Sequence, residues 1–168
     1  MDAMEAILTR RSIRKYTKQP VSDEVLKELL EAAMCAPSAG NRQPWCFVVI
    51  NDGKIMNEIP KYHTYAQMLK EAPVAILVCC HSDLQLGEFG VQDCSAATQN
   101  ILLAAHDKGL GAVWLGVYPA GRRVTAAKKL LNLPEHIMPI SLISIGYPAE
   151  QKPRQDRYRA DRVHYNQW

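Results

Sequence analysis

Val74-Ala75-Ile76-Leu77-Val78-Cys79-Cys80 is an unbroken apolar run of strand-forming character. Successive side chains of a strand point to opposite faces of the sheet, so a strand apolar at every position buries both faces. The run is therefore read as a central strand with helices on either side. Cys79 and Cys80, adjacent within it, are expected on opposite faces.

Three more strands are expected around it. Cys46-Phe47-Val48-Val49-Ile50 precedes it, Gly111 to Tyr118 follows, and Met138 to Ile145 comes last, closed by Gly146-Tyr147-Pro148. Helical patterns fill the intervals. Met4, Ile7 and Leu8 recur at helical spacing and lead into Arg10-Arg11-Ser12-Ile13-Arg14-Lys15-Tyr16. After Pro20, Ser22 is placed as an N-cap with Asp23 and Glu24 in the first turn, and Val25, Leu26, Leu29, Leu30 and Ala33 form an apolar stripe. The longest pattern runs from Gln92 to Asp107 through Cys94, Ala97, Thr98, Ile101, Leu102 and Ala105, with Gly109 as its stop. A shorter helix is expected from Arg122 to Leu131. Between the Asn51-Asp52-Gly53 turn and Lys70 the pattern is mixed and predicts one or two short helices broken at Pro60. His63 and Tyr65 fall there, and solvent exposure is the favoured reading over facing a ligand. Four strands separated by helices imply an α/β or α+β sandwich, with residues 1–168 as one domain.

Composition narrows the function. The chain has 168 residues, of which 48% are hydrophobic and 22% charged, enough to bury a sizeable core. No run approaches the length of a membrane span, and Asp2 and Glu5 stand where a signal peptide would be basic, so a cytoplasmic location is expected. The 5 cysteines show no Cys-x-x-Cys spacing and lie mostly in apolar segments, which favours buried, reduced thiols over disulfides or a metal site. The net charge of +3 is small but unevenly spread. Arg10, Arg11, Arg14, Lys15 and Lys18 form one basic cluster, and Lys152, Arg154, Arg157, Arg159 and Arg162 form another. No nucleic-acid-binding motif accompanies them and aromatics are only 7%, so nucleic acid is not the expected target. Cations closing a helix C-terminus would account for Arg10 and Arg11. Arginines flanking the Ser12 hydroxyl would equally suit a phosphate, which takes bidentate charge and a neutral hydrogen bond.

The loop Ala36-Pro37-Ser38-Ala39-Gly40-Asn41-Arg42-Gln43-Pro44-Trp45 sits between the second helix and the first strand. Two prolines restrict its ends and Gly40 opens a backbone conformation denied to other residues, so it is either a connector or an ordered loop presenting polar groups. Gly109-Leu110-Gly111 is not a dinucleotide fingerprint, because a helix precedes it and a strand follows. Gly116, inside a strand pattern, marks a bulge or a close backbone approach by a ligand.

Four pieces, Arg10 to Tyr16, Pro37 to Trp45, Gly109 to Gly116, and Ile145-Gly146-Tyr147-Pro148, resemble in order and spacing the flavin-dependent nitroreductases, over nearly the whole chain. The resemblance implies an α+β fold, a three-layer sandwich with a small mixed sheet flanked by helices, and an intertwined homodimer with flavin sites at its interface. It implies FMN as cofactor and NADH or NADPH as electron donor. Arg10, Arg11, Ser12 and Arg14 would bind the cofactor from one subunit, with Arg157 closing the phosphate site. Pro37, Ser38, Asn41 and Gln43 would reach the flavin of the partner, and Leu115 and Gly116 would lie against the ring. No catalytic side chain and no metal are implied, since the flavin carries the redox chemistry. The implied activity is ping-pong electron transfer to small electron-poor acceptors such as nitroaromatics or quinones. A non-catalytic flavin-binding protein and a dedicated flavin enzyme such as a reductive dehalogenase are the alternatives. No basic residue stands near Tyr65 to Met68, where larger relatives contact the flavin pyrimidine, and without the helical excursion of those relatives the pocket is expected to be either more open or roofed by Trp114 or Tyr118.

Overall fold

β2 (Val74–His81) is an inner strand of a four-stranded sheet in the computed structural model, which describes residues 1–168. Its neighbours are β1 (Trp45–Ile50) and β4 (Ile137–Gly146), and β3 (Gly111–Gly116) pairs on the far side of β4, giving the order β1-β2-β4-β3. All three ladders are antiparallel: Trp45 lies opposite Cys80, Val74 opposite Ile145, and Gly111 opposite Gly146. The expected mixed character is confined to one isolated parallel bridge between Ser12 and Ala112.

Alternation along β2 sorts the interior into two layers. Val74, Ile76, Val78 and Cys80 face one cluster, where they meet Ile143 and Ile145 of β4. Leu26, Leu29 and Ala33 of α2 (Asp23–Met34) and Cys94, Ala97 and Ile101 of α4 (Gly90–Asp107) cover that face. Ala75, Leu77 and Cys79 face the other cluster, with Val113, Leu115 and Leu142. Met56 and Ile59 of α3 (Gly53–Tyr62), Leu69, and Ala127 of α5 (Gly121–Leu130) close it. Both faces are thus covered, in an α+β arrangement. Several of the polar groups taken inside are paired: Thr98 Oγ1 meets Ser141 Oγ at 2.7 Å, and Tyr16 donates to the Ile13 carbonyl at 2.7 Å.

Three local expectations need correction. Pro60 does not break α3, because it sits in the last turn, where the helix forfeits only the bond to the Met56 carbonyl before ending at Tyr62. The pyrrolidine ring is buried beside Met56 and Ile59. α1 (Ala3–Thr9) forms, capped by Asp2 accepting from Glu5 N at 2.9 Å, yet Met4, Ile7 and Leu8 stay exposed and only Ala6 is buried. Its apolar stripe has no partner within the chain. Of the cysteines, Cys79, Cys80 and Cys94 are buried free thiols, whereas Cys35, at the C-cap of α2, is exposed and Cys46 is half-buried. No helix is long and apolar enough to cross a membrane.

Candidate functional site

α1 ends one residue before the basic cluster. Arg10 leaves the helix with ψ 135°, its N–H still bonded to the Ala6 carbonyl, and the chain then runs alongside β3. Ile13 N donates to the Ala112 carbonyl at 3.0 Å. Gly111 makes this approach possible, since a Cβ there would stand 2.5 Å from Ile13 Cγ2. Further on, Thr17 N donates to the Tyr147 carbonyl and Ala149 N to that of Lys15, which draws the last of the four sequence pieces against the first. Arg10 and Arg11 therefore do not ride a helix.

The arginines gather without acidic partners. Five ion pairs occur in the chain, and no arginine takes part in any of them. Burial, then the neighbouring guanidiniums of Arg157 and Arg11, push the Arg10 guanidinium below its usual value. Arg11 donates from Nε to the Pro153 carbonyl at 2.8 Å and from Nη1 to the Arg10 and Leu8 carbonyls, while its Nη2 is buried with no partner. Lys152 Nζ holds the Ser12 carbonyl at 2.7 Å. A cavity of about 500 Å³ opens here, bordered by Thr9, Arg10, Arg11, His106, Lys152 and Arg154. Glu150, the one carboxylate on the cavity's border, is paired with Lys152 at 3.3 Å. Half-buried guanidiniums with an unused donor have chemistry that suits a phosphate monoester.

A second cavity, of about 470 Å³, lies at the end of β3 and contains Arg14, Tyr65, Gln67, Leu115, Gly116 and Arg123 on its walls. A Cβ on Gly116 would meet nothing within 4 Å, so packing inside the chain does not require glycine there. Open space over a strand backbone is what a flat ring needs for close approach. His63 also reaches this point. Instead of being exposed it is 1% accessible, and its Nε2 lies 3.0 Å from the Gly116 carbonyl. A carbonyl only accepts, so Nε2 carries the proton and Nδ1, buried without a partner, is a bare acceptor. Arg123 Nη1 donates to the same carbonyl at 2.9 Å. Tyr65, 70% exposed, has its ring 5.8 Å from the Arg123 guanidinium carbon. The sequence shows no basic residue around Tyr65 to Met68, but folding brings Arg123 there from α5. Trp114 borders the cavity while packing against the α2–α4 cluster, whereas Tyr118 lines a different cavity with Cys80 and Met138.

Burial, and then the Arg123 charge, hold the His63 imidazole below its ordinary value. A base with a lowered folded-state pKa contributes its stability above the unfolded value of about 6.5, and that contribution is lost as pH falls through this value toward the folded one. The unfolding midpoint should therefore drop between about pH 7 and about pH 5, and His63→Asn should flatten part of that slope. Parallel pH profiles for the two proteins would contradict this.

The loop at 37–43 is ordered by its own bonds. Ser38 Oγ accepts from Gln43 N at 2.9 Å, Gln43 Nε2 donates to Asn41 Oδ1 at 3.0 Å, and Ala39 N donates to Asp93 Oδ1 at 3.0 Å. Gly40, Asn41 and Gln43 all take left-handed backbone, with φ of 56°, 52° and 50°. For Gln43 this costs about 1–2 kcal/mol, a sign that the loop is held in shape rather than merely connecting. Pro37, Asn41 and Gln43 are exposed, and none of the 37–43 residues borders either cavity. Within one chain the fold joins Arg10 and Arg11 with the tail, and Arg14 with Leu115 and Gly116, and leaves the 37–43 loop apart.

A model described as "Nitroreductase family" matches residues 7–63 and 60–147. A "Putative NADH dehydrogenase/NAD(P)H nitroreductase" of Methanothermobacter thermautotrophicus is 52% identical over 169 residues, covering 100% of this chain and 88% of that protein. Among solved structures, the FMN-dependent nitroreductase of Clostridium difficile superposes with a TM-score of 0.91 at 29% identity, over 98% of this chain and 99% of that one. The NADPH:FMN oxidoreductase of Vibrio harveyi, complexed with NAD+, gives 0.86 at 28% identity, over 98% and 77%.

Proposed function

We propose that this chain, which belongs to the nitroreductase family, is an FMN-dependent oxidoreductase that takes electrons from NADH or NADPH and gives them to small electron-poor acceptors, nitroaromatics or quinones, in a ping-pong cycle. The observation that carries the reading is the group of unneutralised guanidiniums, Arg10 against Arg11 and Arg157, on the same extended segment that delivers Arg14 to the open end of β3. Bound FMN would supply the hydride-accepting chemistry. Arg10, Arg11 and Arg157, with the Ser12 hydroxyl, would hold its phosphate. Arg14 and Gln67 would border the ring, Leu115 and Gly116 would form one wall, and neutral His63 would fix the Gly116 carbonyl by donating to it.

The second wall is assigned to the partner's copy of the 37–43 loop, with Pro37, Asn41 and Gln43 exposed and Ser38 half-buried beside them. Surface area supports a homodimer. The chain exposes 10181 Å², against about 8,300 Å² for a compact monomer of its mass. Much of the surplus is apolar and lies on α1 and the tail, where Met4, Ile7, Tyr158, Tyr165 and Trp168 are exposed. Burying such surface twice over reaches the roughly 2,000 Å² or more typical of obligate dimers. Sedimentation over a dilution series should show a dimer at every concentration at which flavin stays bound. An active, flavin-loaded monomer would contradict the shared site. Free thiols with no disulfide among them suit a cytoplasmic setting.

Steady-state oxidation of NADH and NADPH with a nitroaromatic or quinone tests the catalytic reading. Parallel double-reciprocal lines at varied acceptor concentration are expected, and flavin binding without turnover would reduce the chain to a flavin-binding module.

A further inference from the structure

Arg123 is a half-buried cation with no acidic partner, and the cavity it borders is lined without a single aspartate or glutamate. Its one hydrogen bond, to the Gly116 carbonyl, occupies Nη1 and leaves Nη2 and Nε available. The charge is not compensated from any side of the cavity. His63, which shares the Gly116 carbonyl with it, is held below its ordinary value by burial and then by the Arg123 charge, and Arg14 adds a second positive charge to the wall. Beside the guanidinium stands the exposed ring of Tyr65, held edge-on to His63 with centroids 6.5 Å apart. A desolvated guanidinium with spare donors attracts an anion more strongly than a solvated one, and a planar carboxylate matches its fork. An aromatic face adjoining it favours a flat apolar body on the same ligand.

We infer that Arg123 is a specificity-determining residue, which binds the anionic group of the electron acceptor, so that the cavity at the end of β3 prefers small aromatic acids over neutral aromatics of the same shape. The inference rests on the proposed oxidoreductase function only for the word acceptor. Binding alone can be read without turnover. α5 contributes this residue by pinning Arg123 on the Gly116 carbonyl, so the anion lies next to the backbone that is proposed to carry the flavin ring.

Calorimetric titration of the full-length protein with 4-nitrobenzoate and with neutral 4-nitrobenzamide, with and without FMN present, tests it. Nitrobenzoate is expected to bind about 10-fold more tightly than the amide, the usual scale of a charge-assisted hydrogen bond. Arg123→Gln should erase that preference while leaving the amide affinity within about 2-fold, and Arg123→Lys should retain part of it. In turnover the same ratio should show in KM for the two acceptors, with kcat little changed. Equal binding of acid and amide by the wild-type protein overturns the inference, as does a preference that survives Arg123→Gln. A large loss of FMN affinity in Arg123→Gln with the acid preference intact would assign Arg123 to the cofactor and overturn it equally. Should Arg123→Gln not fold, the wild-type ratio and the Lys variant still decide. Protein that takes up no FMN yet prefers the acid would contradict the oxidoreductase reading and support this one.

Discussion

Arg10→Ala and Arg157→Ala are each expected to weaken FMN binding by about 1.5–3 kcal/mol, roughly 10- to 150-fold in Kd, the range for hydrogen bonds to charged groups. The expectation rests on charges that repel one another in the absence of an anion and on Arg11 Nη2, buried with no acceptor. Removing one guanidinium relieves that repulsion, so stability without FMN should be unchanged or slightly raised while affinity falls. Opposite signs in the two measurements separate a phosphate site from a structural role. Arginines that merely close α1 would lose stability and leave FMN affinity alone, and equilibrium titration of each variant followed by flavin fluorescence tells the two apart.

Ile143→Ala should cost about 2–5 kcal/mol of folding stability. Ile143 is fully buried on β4, in the cluster that joins the sheet to α2 and α4, opposite Ile76 of β2 and Trp114 of β3. An inner strand of a sheet covered on both faces cannot collapse readily around a missing side chain, so most of the cavity should persist. The site should feel it too, because the same β4 segment holds β3, which carries Gly116 and against which the 10–14 segment is placed. Denaturant unfolding gives the number, and a loss below about 1 kcal/mol would show that the core relaxes.

Local pattern carried much of the fold. The continuous apolar run at 74–80 is an inner strand, Ser22 caps α2 as its position before Asp23 and Glu24 suggests, and Gly109, with φ 73°, follows the end of α4. Each of these depends on neighbours a few residues away. Features that depend on distant neighbours were not legible. The first helix ends near the basic cluster as its pattern suggests, but the extended course from Arg10 to Arg14 is set by pairing with Ala112, a hundred positions away. His63 reads as a polar residue in a polar segment, and only Gly116, 53 positions later, gives its ring a buried partner. Arg123 belongs to an ordinary basic helix until folding brings it over Tyr65. No periodicity encodes such meetings. The 37–43 loop is a separate case, since its proposed role lies on a second copy of the chain, where no intrachain contact can reveal it.

The central claim, that this chain holds FMN and passes electrons through it, is tested most directly by anaerobic titration of the FMN-loaded protein with NADH or NADPH, followed by a nitroaromatic. Flavin absorbance should be present at one equivalent per chain, bleach on adding the nucleotide, and return when the acceptor is added. Protein that stays colourless after incubation with FMN, or bound flavin that neither nucleotide reduces, would contradict the account.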